Sequence, residues 1–233
     1  MARILALESS AELCSVAVLD NERVLERTER APRQHAQLIL PFVEELLDQA
    51  ALSLNQLDAI AFGCGPGSFT GLRIAAGFAQ GLAFGAQKTV IPVSNLRALA
   101  FSAAKIHGAG HYLACIDARM DEVYWAGYSV VIDRDIPVLK CVSKEQVSPP
   151  EQLKPHELNT NLVAVGSGLA FATRFPSDVR ERLAITDDSL YVSAKTLAEL
   201  AASDFENGLA LKPAEAQPSY IRDEVAWKKL PGR

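Results

Sequence analysis

Residues 4–20 read ILALESSAELCSVAVLD, and this stretch decides the fold. Ile4–Glu8 and Ser15–Asp20 are apolar runs of strand length, and the residues between them are typical of a turn. The pattern therefore predicts a β-hairpin near the start of the chain, with an acidic residue at the end of its first strand.

The same order of elements occurs a second time. Tyr112–Asp117 (YLACID) and Glu122–Ile132 (EVYWAGYSVVI) are predicted strands, and residues 118–121 form the turn between them. Further predicted strands are Val24–Thr28, Asp58–Gly63, Val90–Val93, Val138–Val142 and Asn161–Val165, and predicted helices are 34–50, Phe69–Phe84, Leu96–Ile106 and Ala194–Glu206. Strands and helices mixed in this way predict an α/β fold of two similar lobes, each with a mixed sheet flanked by helices.

The boundary between the lobes is predicted near Gly108-Ala109-Gly110, where two glycines interrupt the pattern. We assign residues 1–104 to the first lobe and residues 105–212 to a second, smaller lobe. The segment 213–233 is expected to return to the first lobe.

Composition limits the classes of function. The chain has 233 residues, of which 49% are hydrophobic, so a large core is expected. Its net charge of −5 argues against strong independent binding of nucleic acid, which needs a basic excess. None of the four cysteines forms a CxxC pair, so we expect buried thiols in a reducing compartment. No segment has the pattern of a signal peptide or a membrane span, which predicts a cytoplasmic protein.

A glycine-rich turn occupies Gly63–Arg73 (GCGPGSFTGLR), between a predicted strand and a predicted helix. Gly65, Gly67 and Ser68 are candidates for close approach of the backbone to a nucleotide or another ligand. The turn lacks the Lys-Ser/Thr pair of a P-loop and the spacings of GxGxxG and GxSxG. The alternative is that the glycines only allow the helix to pack on the sheet, and the residues alone leave both open.

The helix after this turn predicts a subunit interface. Gly77, Gly81 and Gly85 recur at every fourth position, and each glycine costs a helix up to about 1 kcal/mol relative to alanine. Close packing should offset that cost, either within the chain or against a second molecule. The predicted interface residues, on this helix and on helix 34–50, are Leu38, Phe42, Arg73, Gly77, Gly81 and Gly85.

Candidate catalytic groups are incomplete. His107 and His111 are four residues apart, a spacing that could hold a metal on a helix, but Gly108 and Gly110 interrupt the helix between them, so we expect no shared metal site. His35 is expected at the surface or at an interface. Glu8 and Asp117 end the first strands of the two lobes, where carboxylates can position a metal–phosphate, yet neither following turn contains glycine. We therefore predict no catalytic residue, no metal site and no cofactor of the chain's own.

Two lobes that each open with a hairpin resemble the superfamily of actin, sugar kinases and heat-shock chaperones (ASKHA). The match to one family within it, the bacterial TsaB or YeaZ family, covers nearly the whole chain. Its motifs are Arg3–Glu8, Arg33–His35, Ile39–Pro41, Gly65–Arg73, Ala79–Ala83, Ile116–Met120, Glu122–Trp125, Tyr220, Arg222 and Ala226–Gly232.

This resemblance implies a non-catalytic partner of the paralogue TsaD. With TsaD and the ATPase TsaE, the family serves the transfer of threonylcarbamoyl from threonylcarbamoyl-AMP to the adenosine next to the anticodon of tRNA. TsaD holds its metal with an HxxxH pair, and both histidines are missing from the corresponding stretch Val93–Leu99. The resemblance further implies a heterodimer formed through first-lobe helices, ATP only at the level of the complex and indirect contact with tRNA; a homodimer is expected when the chain is alone.

Two alternatives remain at this point. One is an enzyme, either a degenerate ASKHA phosphotransferase or a metallopeptidase-like protein. The other is direct handling of tRNA by Arg222, Lys228, Lys229 and Arg233, which otherwise form a solvated basic tail.

Overall fold

The computed structural model describes residues 2–155, 158 and 161–222. A first five-stranded sheet has the order β3-β2-β1-β4-β5. Its strands are β1 (Arg3–Glu8), β2 (Leu13–Asp20), β3 (Arg23–Arg30), β4 (Ala59–Gly65) and β5 (Thr89–Ser94). β1 pairs antiparallel with β2 and parallel with β4, so the hairpin predicted from residues 4–20 is confirmed at the centre of this sheet.

A second five-stranded sheet has the order β10-β9-β6-β7-β8. Its strands are β6 (Gly110–Arg119), β7 (Glu122–Asp133), β8 (Ile136–Ser148), β9 (Leu162–Val165) and β10 (Leu183–Asp187). The second predicted hairpin is confirmed as β6–β7. β10 was not predicted, because this half-buried or exposed edge strand has an apolar run of only three residues, Leu183–Ile185.

Five α-helices occur in the described part of the chain. They are α1 (His35–Ala50), α2 (Phe69–Ala86), α3 (Asn95–His107), α4 (Ser177–Arg180) and α5 (Ala194–Glu206). α1 and α2 cover one face of the first sheet with an apolar cluster that includes Leu5, Ile60 and Ala79. None of the helices in the described part of the chain is both long enough and apolar enough to cross a bilayer.

Helices α3 and α5 lie between the two sheets. α5 packs mainly on the first sheet, whereas α3 packs mainly on the second. One continuous core consequently joins the lobes and includes Ile4, Leu99, Tyr112 and Leu197. The predicted boundary between residues 104 and 105 lies inside α3, which contacts both sheets, so the division into lobes at that point stays a proposal.

The cysteines differ in exposure. Cys14 and Cys115 are buried and Cys64 is half-buried, as their apolar surroundings predict. Cys141 is exposed on β8, so the expectation of burial is wrong there, because β8 is the edge strand of its sheet.

Candidate functional site

The glycine turn packs against the β1–β2 hairpin of the same chain. The amide of Ser68 donates to the carbonyl of Ser10 at 2.8 Å. A Cβ added to Gly67 would lie 2.7 Å from Cβ of Ser10, and one added to Gly71 would lie 2.0 Å from the carbonyl oxygen of Ser9. Gly67 and Gly71 therefore have a packing reason within the chain, while contact of Gly65, Gly67 and Ser68 with a ligand stays a prediction.

Glu8 lies directly beneath this turn and is fully buried. Its Oε1 accepts from the amide of Ser10 at 2.6 Å and from the Ser10 hydroxyl. Burial raises the pKa of the Glu8 carboxyl from about 4.5 to about 7, because a charged carboxylate is poorly solvated there. In this arrangement Glu8 has no surface with which to contact a phosphate or metal arriving from solvent.

Asp117, the corresponding carboxylate of the second lobe, is partly exposed and is engaged locally. Its Oδ1 accepts from the amide of Arg119 at 2.7 Å, and its Oδ2 lies 3.3 Å from the Arg119 guanidinium. The backbone amide of Asp117 donates to the Ser167 hydroxyl oxygen at 3.1 Å. Each of the two strand-end carboxylates is thus used by its own hairpin.

The outer face of α2 is open. Gly77, Gly81 and Gly85 are exposed, and a Cβ added at any of them would find no atom within 4 Å. Phe84 on the same helix is 80% exposed. The alternative that the glycines pack within the chain therefore finds no support among residues 2–155, 158 and 161–222.

The other predicted interface residues lie around that face. Arg73 is exposed on α2, and Leu38 is half-buried on α1. Phe42 is only 5% exposed and belongs to the core beneath α1, so in the single chain it offers almost no contact surface. The spacing of apolar residues in α1 places Phe42 on the apolar side of the helix. It does not distinguish residues that face the sheet from residues at the edge of that side, which could contact a partner.

Residues 216–222, which we call the strap, run along α2 towards the second lobe. Nε2 of Gln80 donates to the carbonyl of Ala216 at 2.7 Å, and the amide of Ser219 donates to the carbonyl of Cys64 at 2.7 Å. Further along, Nε of Arg73 donates to the Tyr220 hydroxyl at 2.9 Å. The strap thus forms one wall of a groove beside the glycine face.

A cavity of about 620 Å³ separates the glycine turn from the second lobe. Phe69 and Tyr220 line it with ring centroids 5.5 Å apart, and the Arg73 guanidinium lies 3.8 Å from the Phe69 centroid. Arg222 closes the far side, where it pairs with Glu122. Tyr220 and Arg222 were identified from the sequence as motif residues, but no local pattern indicates their contacts, which join positions 100 or more residues apart.

Replacing Arg222 tests whether the strap is anchored on the second lobe. We expect Arg222→Ala to lower the free energy of unfolding by about 1 kcal/mol, because Arg222 donates to both Glu122 and the carbonyl of Ala118. Urea denaturation measures the change, with Arg134→Ala in the exposed β7–β8 turn as the control. Equal stability of the Arg222 variant and the wild type would mean that the anchor contributes nothing.

The histidines form no shared site. Nε2 of His107 lies 3.9 Å from Oδ2 of Asp187, which is a distant pairing. His35 is only 8% exposed, so its predicted surface position is wrong; it begins α1 where that helix folds onto β2. Among residues 2–155, 158 and 161–222, no group of three or more His, Cys, Asp or Glu side chains is arranged to hold a metal ion. The predicted tail residues Lys228, Lys229 and Arg233 lie outside the described residues.

Comparison with known proteins identifies relatives along the whole chain. TsaB, the tRNA threonylcarbamoyladenosine biosynthesis protein of Haemophilus influenzae, is 42% identical over 236 residues that cover 99% of this chain and 98% of the relative. The protein of the same name from Escherichia coli K12 is 40% identical and covers 99% of both chains. A family model described as TsaD, tRNA N6-adenosine threonylcarbamoyltransferase, matches residues 22–230.

Solved structures agree with these relatives. YeaZ from Pseudomonas aeruginosa superposes with a TM-score of 0.85 at 42% identity, covering 94% of this chain and all of that one. A second structure, of an uncharacterized protein similar to peptidase YEAZ from the same organism, gives a TM-score of 0.86 at 42% identity, with 95% of this chain and all of that one covered. The predicted two-lobed ASKHA fold is thereby confirmed, and the chain belongs to the TsaB (YeaZ) family, within the wider family that the TsaD model describes.

Proposed function

We propose that this chain acts in tRNA threonylcarbamoyladenosine biosynthesis as a non-catalytic partner subunit. Relatives at 40–42% identity over the whole chain carry the name of that pathway. In this proposal the chain binds a TsaD-like paralogue and works with a TsaE-like ATPase. Together they transfer threonylcarbamoyl from threonylcarbamoyl-AMP to the adenosine next to the anticodon.

The open glycine face of α2 is the observation that carries the proposal. Gly77, Gly81 and Gly85 each cost the helix up to about 1 kcal/mol relative to alanine, and no contact with the described part of the chain offsets this. A second molecule packed closely against the face would offset it, since glycine lets backbones approach. The exposed Phe84 supplies an apolar anchor at the end of the same surface.

The stretch in which TsaD would hold its metal supports a non-catalytic role. Ser94 donates to Glu145, Asn95 bonds to Ser10, and Arg97 makes two bonds of 2.7 and 2.9 Å to Asp204. These polar side chains are thus committed to contacts that hold the two lobes and α5 together. Neither this stretch nor the two strand-end carboxylates presents an open ligand set.

Reconstitution tests the function directly. The mixture contains a TsaD-like subunit, a TsaE-like ATPase, threonylcarbamoyl-AMP and unmodified tRNA, with or without this chain. Modified adenosine is then measured by mass spectrometry of digested tRNA. We expect product to require this chain, and unchanged product without it would overturn the proposal.

The isolated chain should be inactive. We expect no sustained ATP hydrolysis and no modification of tRNA, because every catalytic group of the proposal lies on the partners. ATPase activity that survives a further purification step would favour the alternative of an ASKHA phosphotransferase. Titration with tRNA at two salt concentrations tests direct binding, and saturable binding at low salt would contradict the indirect contact expected from a net charge of −5.

A further inference from the structure

A buried polar cluster lies between the glycine turn, the β1–β2 hairpin and the start of α3. It consists of Glu8, Ser10, Pro66 and Asn95. Glu8 and Asn95 have no exposed surface, and Ser10 is buried as well. Nδ2 of Asn95 donates to the Ser10 hydroxyl oxygen at 2.7 Å and to the carbonyl oxygen of Pro66 at 3.1 Å.

These bonds fix the orientation of the Asn95 amide. The carbonyl of Pro66 can only accept, so the NH₂ group of Asn95 must face it, and Oδ1 must point the other way. Oδ1 of Asn95 and Oε2 of Glu8 are both buried without a hydrogen-bond partner among the described residues. Both face the same small space beside Gly63, where an added Cβ would lie 1.8 Å from Oε2 and 2.6 Å from Oδ1.

Two facing acceptors repel unless a proton lies between them. The Ser10 hydroxyl cannot supply it, because it already donates to Oε1 of Glu8. The only group in the cluster that can carry the missing proton is Glu8 itself. We infer that Glu8 is held neutral and donates from Oε2 to Oδ1 of Asn95, so that a bound proton latches the glycine turn and α3 onto the β1–β2 hairpin.

The surroundings of Glu8 favour the neutral form. The titratable groups that face it from the neighbouring strands are the thiols of Cys14 on β2 and Cys64 on β4, and burial raises the pKa of each to about 12. Glu145, which faces Cys64, is also a carboxyl whose pKa burial raises. No cation among the described residues pairs with Glu8, and although hydrogen bonds from Ser10 and from the amide of Ser9 lower its pKa, the effect of burial outweighs them.

The latch makes stability depend on pH. The folded chain keeps the Glu8 proton up to about pH 7, whereas an unfolded glutamate loses it near its ordinary pKa of about 4.5. The stabilising contribution is therefore complete below the ordinary pKa, declines as pH rises between these two values, and is lost above about pH 7. The same turn leads into α2, so loss of the proton loosens the start of that helix.

Glu8→Gln tests the inference, because its amide can donate to Asn95 without a titrating proton. Unfolding of the wild type and the variant is compared by urea denaturation at several pH values. The folding equilibrium constant of the variant relative to the wild type should rise by roughly 50-fold between about pH 5 and about pH 8. Glu22→Gln in the exposed β2–β3 turn is the matched control and should show no such rise.

A second measurement keeps the test independent of the variant's folding. In wild-type protein labelled with ¹³C-glutamate, the Glu8 carboxyl resonance should titrate with a midpoint near pH 7, well above that of exposed carboxyls. A midpoint close to the ordinary glutamate value, or a ratio of equilibrium constants that does not change with pH, would overturn the latch. Neither readout involves a partner subunit, so failure here leaves the proposed function standing.

Discussion

Gly71→Ala is expected to lower the free energy of unfolding by about 3 kcal/mol, the upper part of the usual range for an overpacked site. The new Cβ would lie 2.0 Å from the carbonyl oxygen of Ser9 and 2.9 Å from Cα of Ser10. Both obstacles are backbone atoms of the turn in the central hairpin, so no side-chain rotation relieves the clash. The start of α2 or that turn must move, and the bond of 2.8 Å from the Ser9 hydroxyl to the Gly71 carbonyl is strained as well.

Gly81→Ala on the same helix is the matched control. Its Cβ would meet no atom within 4 Å, and alanine is the better helix former, so we expect stability to rise by up to about 1 kcal/mol. Urea denaturation of both variants measures the difference. Destabilisation of similar size in both would mean that the outer face of α2 is covered within the chain, contrary to the open face described above.

The glycines of α2 are therefore of two kinds: Gly71 is packed against the hairpin, whereas Gly81 faces open space. The sequence alone does not distinguish them. The four-residue repeat indicates a glycine face on α2, because the repeat is a local property of the helix, and the use of that face as an interface stays a prediction. The reason for Gly71 is a contact with Ser9, which lies 62 positions earlier in the chain. Only the folded arrangement of the hairpin and α2 brings these residues together.

In the fold as a whole, too, single elements could be predicted from short windows of sequence, whereas packing between distant segments could not. Both hairpins and helix Ala194–Glu206 were predicted because their apolar periods are visible in short windows. The packing of α3 and α5 across the lobe boundary could not be predicted, because it depends on how two sheets face each other. Glu8 was identified as a strand-end carboxylate, but its burial and its position next to Asn95 of α3 join segments that are far apart in the sequence.

Gly81→Glu is expected to weaken binding to a TsaD-like partner by about 100-fold or more, the effect of burying an unpaired charge at an interface. The proposed contact places a partner backbone against the glycine face, where neither the volume nor the charge of glutamate fits. Glutamate is also a better helix former than glycine and points into open space in the single chain, so the fold should be retained. Titration calorimetry or analytical ultracentrifugation with the purified partner gives the dissociation constant.

Gln146→Glu is the charge-matched control for this experiment, because it adds one negative charge at an exposed position of β8 on the second lobe. It should leave partner binding unchanged, which excludes a general effect of net charge. If a folded Gly81→Glu variant binds the partner with full affinity, the glycine face of α2 is not part of the interface, and another surface must bind. Lost binding together with lost tRNA modification in the reconstituted mixture would instead connect the two, because the open glycine face would then be the surface through which this chain supports its partner's chemistry.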